Sequence, residues 1–219
     1  MFDGLVERYD VVNTVLSLGL DHWWRRLAVR AVTPSVADRV LDLGCGTGDL
    51  SVEVARTTAA VGLDLSFPML LRAKAKGSRG QARPPRFVQG SAARLPFSDG
   101  SFDAAVSGFV LRNLRDLPAA FAELGRVIRP GGRLALVDIT APIPPLRRRL
   151  FGVYLGIVAP LIGRLIGRED AYRYLAGSPA QLPPIHEVCA SLRLAGFPNA
   201  RARPLTGGVV TLFVATRSS

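Results

Sequence analysis

The sequence predicts an α/β fold: a mostly parallel sheet with helices on both faces and a closing antiparallel hairpin. Three observations carry this expectation. Short apolar runs that stop at turn residues alternate with helix-period segments from Arg39 to Asp138, and that alternation marks a parallel sheet with crossover helices. The first run ends in a glycine-rich turn and the second on an acid, as strands feeding a ligand-binding edge do. Near the end of the chain NARAR and GGVVTLFVAT surround a TGG turn, which reads as a hairpin.

Each element follows in order. Residues 1–35 read as helical, because LVERYDVVNTVLSLGLDHWWRRLAVRAV spaces its apolar positions by three and four. RVLDL (Arg39–Leu43) is the first strand, and the helix DLSVEVART follows its turn. AAVGLD (Ala59–Asp64) is the second strand and SFPMLLRAKAK the next helix. RFVQG (Arg86–Gly90) and FDAAVS (Phe102–Ser107) are the third and fourth strands. LPAAFAELGRVIRPGG reads as a helix stopped by Pro130, Gly131 and Gly132. RLALVD (Arg133–Asp138) is the fifth strand. Residues 142–184 differ, with prolines, the cluster RRR (147–149), the apolar run LFGVYLGIVAPLIG and the patch AYRYLAGS. HEVCASLRLAG is a further helix before the hairpin. The organisation is a single domain over 1–219: a helical cap (1–35), a core (36–140), a lid or insertion (141–184) and a C-terminal helix with hairpin (185–219).

Composition narrows the classes. With 219 residues, 48% hydrophobic and 21% charged, the chain is long enough for a substantial core. The net charge of +11 points either to an anionic partner or surface or to a genome rich in arginine codons. Residues 72–94 hold seven Arg/Lys and no acid, but no aromatic platform is interleaved, so no nucleic-acid partner is expected. Cys45 and Cys189 form no metal-ligand cluster and suit a reducing, cytoplasmic compartment. The N-terminus has no apolar signal region. The 14-residue run Leu150–Gly163 is too short to span a bilayer. With its basic flank it reads either as a lid over a site or as an element lying on an anionic membrane.

LDLGCGTGDL places Gly44, Gly46 and Gly48 as GxGxG, and Asp64 ends the second strand. Glycines there let backbone approach a ligand, and the acid is placed for the two ribose hydroxyls of a nucleoside. The dinucleotide fingerprint is GxGxxG, which this is not. The spacing resembles that of S-adenosylmethionine methyltransferases, whose loop holds the methionine end of the cofactor. QGSAARLPF resembles their G-D-A-x-x-L-P-F segment, with Ser91 in place of the acid.

The resemblance then extends over the whole chain. RYDVVNTVLSLGLDHWWRR, VLDLGCGTGDL, GFVLRNLRD, YRYLAGSPAQLP and PLTGGVVTLFVAT resemble successive segments of the ubiquinone/menaquinone-biosynthesis C-methyltransferases. Gly44, Ala176 and Ala180 depart from that pattern. The resemblance implies a seven-stranded class I methyltransferase sheet and S-adenosylmethionine as cofactor. It implies Thr47, Asp64, Leu65, Ser91, Ala92 and Ser107 as cofactor contacts beside the loop glycines. It also implies a prenylated quinol as the methyl acceptor, with contact at the inner face of the cytoplasmic membrane left open.

Methyl transfer to a ring carbon gains from ionising the neighbouring hydroxyl, whose pKa is near 10. A cation beside it favours the phenolate. Arg112 and Asn113, just past the fourth strand, are the candidates for that cation and for holding a ring oxygen. Arg112 reads alternatively as a surface residue paired with Asp116. His22 and His186 are weaker candidate bases; Tyr172 and Tyr174 either line an acceptor pocket or pack; Asp138 either meets substrate or caps a turn. Two other classes remain: a methyltransferase for another small hydrophobic acceptor such as a phospholipid amine or polyketide, and a non-catalytic cofactor-binding protein.

Overall fold

The computed structural model describes residues 17–79, 83–140 and 182–219, together with Thr14, Arg149, Gly152, Val153 and Gly156. The helical reading of 1–16, the lid segment, its apolar run, Tyr172 and Tyr174 lie wholly or largely outside the described residues. In chain order the elements are α1 (Leu20–Val32), β1 (Arg39–Leu43), α2 (Asp49–Ala55), β2 (Ala59–Asp64), α3 (Phe67–Gly77), β3 (Arg86–Gln89) and β4 (Phe102–Gly108). A 3-10 turn (Leu111–Asn113), α4 (Leu117–Val127), β5 (Ile128–Ile139), α5 (Ile185–Leu194), β6 (Arg201–Leu205) and β7 (Val210–Thr216) follow.

One seven-stranded sheet runs β3-β2-β1-β4-β5-β7-β6. Strands β1 to β5 are parallel, and β7 enters antiparallel between β5 and β6. The central strands are buried almost end to end, which is why their sequences read as continuous apolar runs rather than alternating ones. Against one face Phe121 and Leu124 of α4 and Val188 and Leu192 of α5 pack with Leu41, Leu43 and Phe213. Against the other face Trp24, Ala28 and Val32 of α1 and Leu50 and Val54 of α2 pack with Val40, Val106 and Val137. Each fully buried side chain of this kind stabilises the fold by about 1.5–3 kcal/mol.

Local chemistry sets the boundaries. Asp116 caps α4 by accepting the Ala119 N–H at 2.9 Å, with a proline in the first turn. On α1, the Trp24 indole N–H donates to the Thr206 hydroxyl at 2.9 Å. This ties the N-terminal helix to the turn joining β6 and β7.

Two expectations need correction. The helix expected to run to Pro130 stops at Val127, and Ile128, Pro130 and both glycines belong to β5. Ile128 pairs with Phe102 across a register shift, so tertiary pairing overrides the local stop signal. At the hairpin, Thr206–Gly208 form a 3-10 turn and β7 begins only at Val210. Gly207 and Gly208 adopt positive φ there, a conformation that a strand excludes.

Candidate active site

The chain leaves β1, builds β2 and β3 outward, and returns to β4 on the other side of β1. That reversal opens a crevice at the carboxyl ends of the strands, the position where open α/β sheets bind ligands. A cavity of about 720 Å3 lies there, walled by the β1–α2 loop, the end of β2, the Gly90–Ala93 segment and residues 108–110 and 113–116, with Arg25 reaching it from α1.

The loop after β1 is shaped by glycine. At Gly44 (φ 67°) a Cβ would come within 2.5 Å of the Val110 side chain, so glycine lets the loop pack closely against Val110. Gly46 donates its N–H to Asp64 Oδ2 at 2.8 Å, and Ser66 donates its own to Oδ1 at 2.9 Å. The carboxylate that ends β2 thus holds the loop on one side and the start of α3 on the other. Thr47 is buried and accepts from Lys76 Nζ at 3.3 Å, and the same ammonium meets Asp49 at 2.5 Å.

Beneath the loop lies a buried acid. Asp42 is 1% exposed and accepts the Ser51 hydroxyl through Oδ2 at 2.6 Å. Its Oδ1 has no partner among the described residues. Desolvation pushes its pKa up to about 7, against the lowering effects of the Ser51 hydroxyl and of Arg25. Burial, with Asp42 and Asp64 adding to it, raises the Cys45 thiol strongly, so this sulfur stays protonated and is no nucleophile.

On the far wall, Ser91 Oγ accepts the Ala93 N–H at 3.3 Å. Glu123 and Arg126 brace the segment that follows: Glu123 accepts the Leu95 N–H at 2.6 Å, and Arg126 donates to the carbonyls of Leu95 and Phe97. The glutamate in turn accepts from Arg126 at 2.8 Å.

Comparison with known proteins reads this architecture directly. The model of the ubiE/COQ5 methyltransferase family matches residues 1–217. The chain belongs to that family. It is 42% identical over 220 residues to a demethylmenaquinone methyltransferase of Mycolicibacterium vanbaalenii, spanning 100% of this chain and 93% of that one. It is 38% identical to a ubiquinone/menaquinone biosynthesis C-methyltransferase of a Geobacter species, over 99% of this chain and 94% of that one. Among solved structures, an S-adenosylmethionine-dependent methyltransferase of Thermotoga maritima superposes with a TM-score of 0.69 at 19% identity, covering 99% and 98% of the two chains. The protein is therefore a methyltransferase with the class I fold, and S-adenosylmethionine is its cofactor.

The residues present fit that cofactor. The loop has open space at Gly46, an orphan carboxylate oxygen suits a ligand cation, and the Asp64 carboxylate stands at the cavity wall. Of the residues expected from the sequence, Gly44, Gly46, Thr47, Asp64, Leu65, Ser91, Ala92 and Asn113 line the cavity of the methyltransferase.

Three expected residues do not. Gly48 faces α3, where a Cβ would meet that of Ala73 at 3.0 Å; it serves helix packing. Ser107 is buried and donates its hydroxyl to the Leu43 carbonyl at 2.7 Å, so it ties β4 to β1. Arg112 is also buried, with its guanidinium on Asp138. It neither faces the cavity nor pairs with Asp116, which is the α4 cap. Asp138 also accepts the N–H of Arg112 at 3.2 Å and of Ile139 at 2.7 Å, so it braces the turn after β4 against the end of β5. His22 and His186 are exposed and stand outside the cavity.

Sequence reasoning missed Asp42, Arg25 and Phe109. Asp42 was hidden inside an apolar strand, and its position two residues before Gly44 was the available signal. Phe109 holds a positive φ of 64°. Arg25 lies over its ring at 5.2 Å from the centroid and Arg112 at 6.0 Å.

Proposed function

We propose that the methyltransferase C-methylates a prenylated quinol ring in menaquinone or ubiquinone biosynthesis, for example demethylmenaquinol to menaquinol. The observation that carries this reading is the 42% identity, over the whole chain, to a demethylmenaquinone methyltransferase. The bound cofactor supplies an activated methyl group, so the protein's contribution is alignment and environment. Asp64 receives the ribose hydroxyls. Leu65, Ser91 and Ala92 border the adenine, and the Gly44–Thr47 loop with Asp42 takes the methionine end. Asn113, on the wall at the end of β4, donates to a ring oxygen of the acceptor and favours its ionised form. The buried Arg112–Asp138 pair fixes the turn that carries Asn113.

Two experiments test these assignments. Demethylmenaquinol with labelled S-adenosylmethionine should yield labelled menaquinol, and Asn113→Ala should lower kcat about 100-fold. Its cofactor affinity should stay within about threefold. Label appearing only in a phospholipid amine or a polyketide would overturn the acceptor class. The second concerns Asp42. A ligand ammonium needs the carboxylate, so with a free-enzyme pKa of about 7 cofactor affinity should rise with pH through neutrality. It should weaken by up to about tenfold per unit below it, because binding must then expel a proton. Titration calorimetry at pH 5.5, 6.5 and 7.5 reads this slope. Asp42→Asn should flatten it, and a slope that persists in the variant excludes Asp42.

A further inference from the structure

The cleft keeps one acid and one base at a wall where the other carboxylates are engaged. Asp64 holds two backbone amides, Asp49 meets Lys76, and Asp116 caps α4. Among the described residues, Asp42 has a buried oxygen, Oδ1, without a partner. Two cations line the same cavity, Arg25 and Arg115. Of these, Arg25 is the one whose field reaches Asp42.

Arg25 is firmly placed. Its neighbour Trp24 is buried and bonded to Thr206. Its Nη1 donates to Asp21 Oδ2 at 2.7 Å, and Asp21, 3% exposed, also accepts the Ser17 hydroxyl at 2.9 Å. A guanidinium carries five N–H donors in a rigid fork, and Asp21 takes one of them here. The rest of the fork is held over Phe109 at the cavity wall.

We propose that Arg25 binds the α-carboxylate of the cofactor's methionine moiety while Asp42 faces its α-ammonium, so that the pair reads the amino-acid zwitterion as a unit. An α-amino acid carries both charges on one carbon, so its binding site needs an acid and a base close together. Asp42 and Arg25 meet that condition: both line the cavity beside the loop, where Gly46 has open space around it. Asp21 is a positioning residue: it orients the fork and does not touch the ligand. The assignment rests on the cofactor and not on the acceptor, so a failure of the quinol reading leaves it standing.

The test is calorimetric and compares three ligands: S-adenosylmethionine, S-adenosylhomocysteine and decarboxylated S-adenosylmethionine. Arg25→Ala should weaken the first two by about 10–100-fold, the loss of a charge-assisted contact. Binding of the decarboxylated ligand should change by less than about twofold, since it has no carboxylate to lose. Arg25→Lys should recover part of the affinity for the first two alone, and Asp21→Asn should show a smaller loss with the same ligand pattern. Equal weakening of all three ligands would mean that Arg25 only supports the fold. No weakening of any would mean that it does not reach the cofactor. Should Arg25→Ala not fold, Arg25→Lys against the same ligands decides the question.

Discussion

Asp138→Ala is expected to lower the unfolding free energy by about 3–5 kcal/mol, because it strands the Arg112 guanidinium in the core. Both side chains are at most 3% exposed, so the unpaired guanidinium would stay buried away from solvent. The carboxylate also holds the N–H groups of Arg112 and Ile139, so its loss frees β4's exit turn and β5 together. Domains of this size have only about 5–15 kcal/mol to lose. Urea unfolding monitored by circular dichroism measures the effect. The double variant Arg112→Met/Asp138→Leu should recover much of the stability, since it removes both charges at once. It should still turn over slowly, because the Asn113 turn has lost its brace. A cost below about 1 kcal/mol for Asp138→Ala would show that the pair is not structural.

Asp64→Ala is expected to weaken S-adenosylmethionine binding by at least about 100-fold. Hydrogen bonds to a carboxylate contribute about 1.5–3 kcal/mol each, and the ribose offers two hydroxyls. The same residue anchors Gly46 and Ser66, so its loss also loosens the loop that shapes the crevice. Asp64→Asn keeps the size and one acceptor and should fall between wild type and alanine. Equilibrium binding in the absence of any acceptor reads this directly, and an unchanged dissociation constant would remove Asp64 from the ribose.

The glycine loop, Asp64 and the strand alternation were legible in the sequence because each is written within a few tens of residues. Local spacing says where a strand stops and which residue must lack a side chain. It does not say which way a side chain turns at the end of a strand. Ser107 faces Leu43, 64 residues away, and Arg112 turns inward to Asp138, 26 residues away; both partners are chosen by sheet order. Gly48 looked like the third member of a binding loop, yet its neighbour is Ala73 on a helix. Arg25 was one of three arginines in α1, and the docking of α1 against β4 and β5 distinguishes it from Arg26, which meets Glu53 at the surface.

The bond between Trp24 and Thr206 spans 182 residues of chain. A ribosome adds about 5–20 residues per second, so roughly 10–40 s pass between the emergence of the two partners. Throughout that interval α1 lacks the hydroxyl that fixes it, and the sheet lacks β7 against β5. The cleft wall bearing Arg25 can dock on β4 and β5 earlier, but it gains its tie to Thr206 only near the end of synthesis. A nascent chain with a finished glycine loop and Asp64 would still be waiting for its final hairpin before it could hold cofactor at full strength.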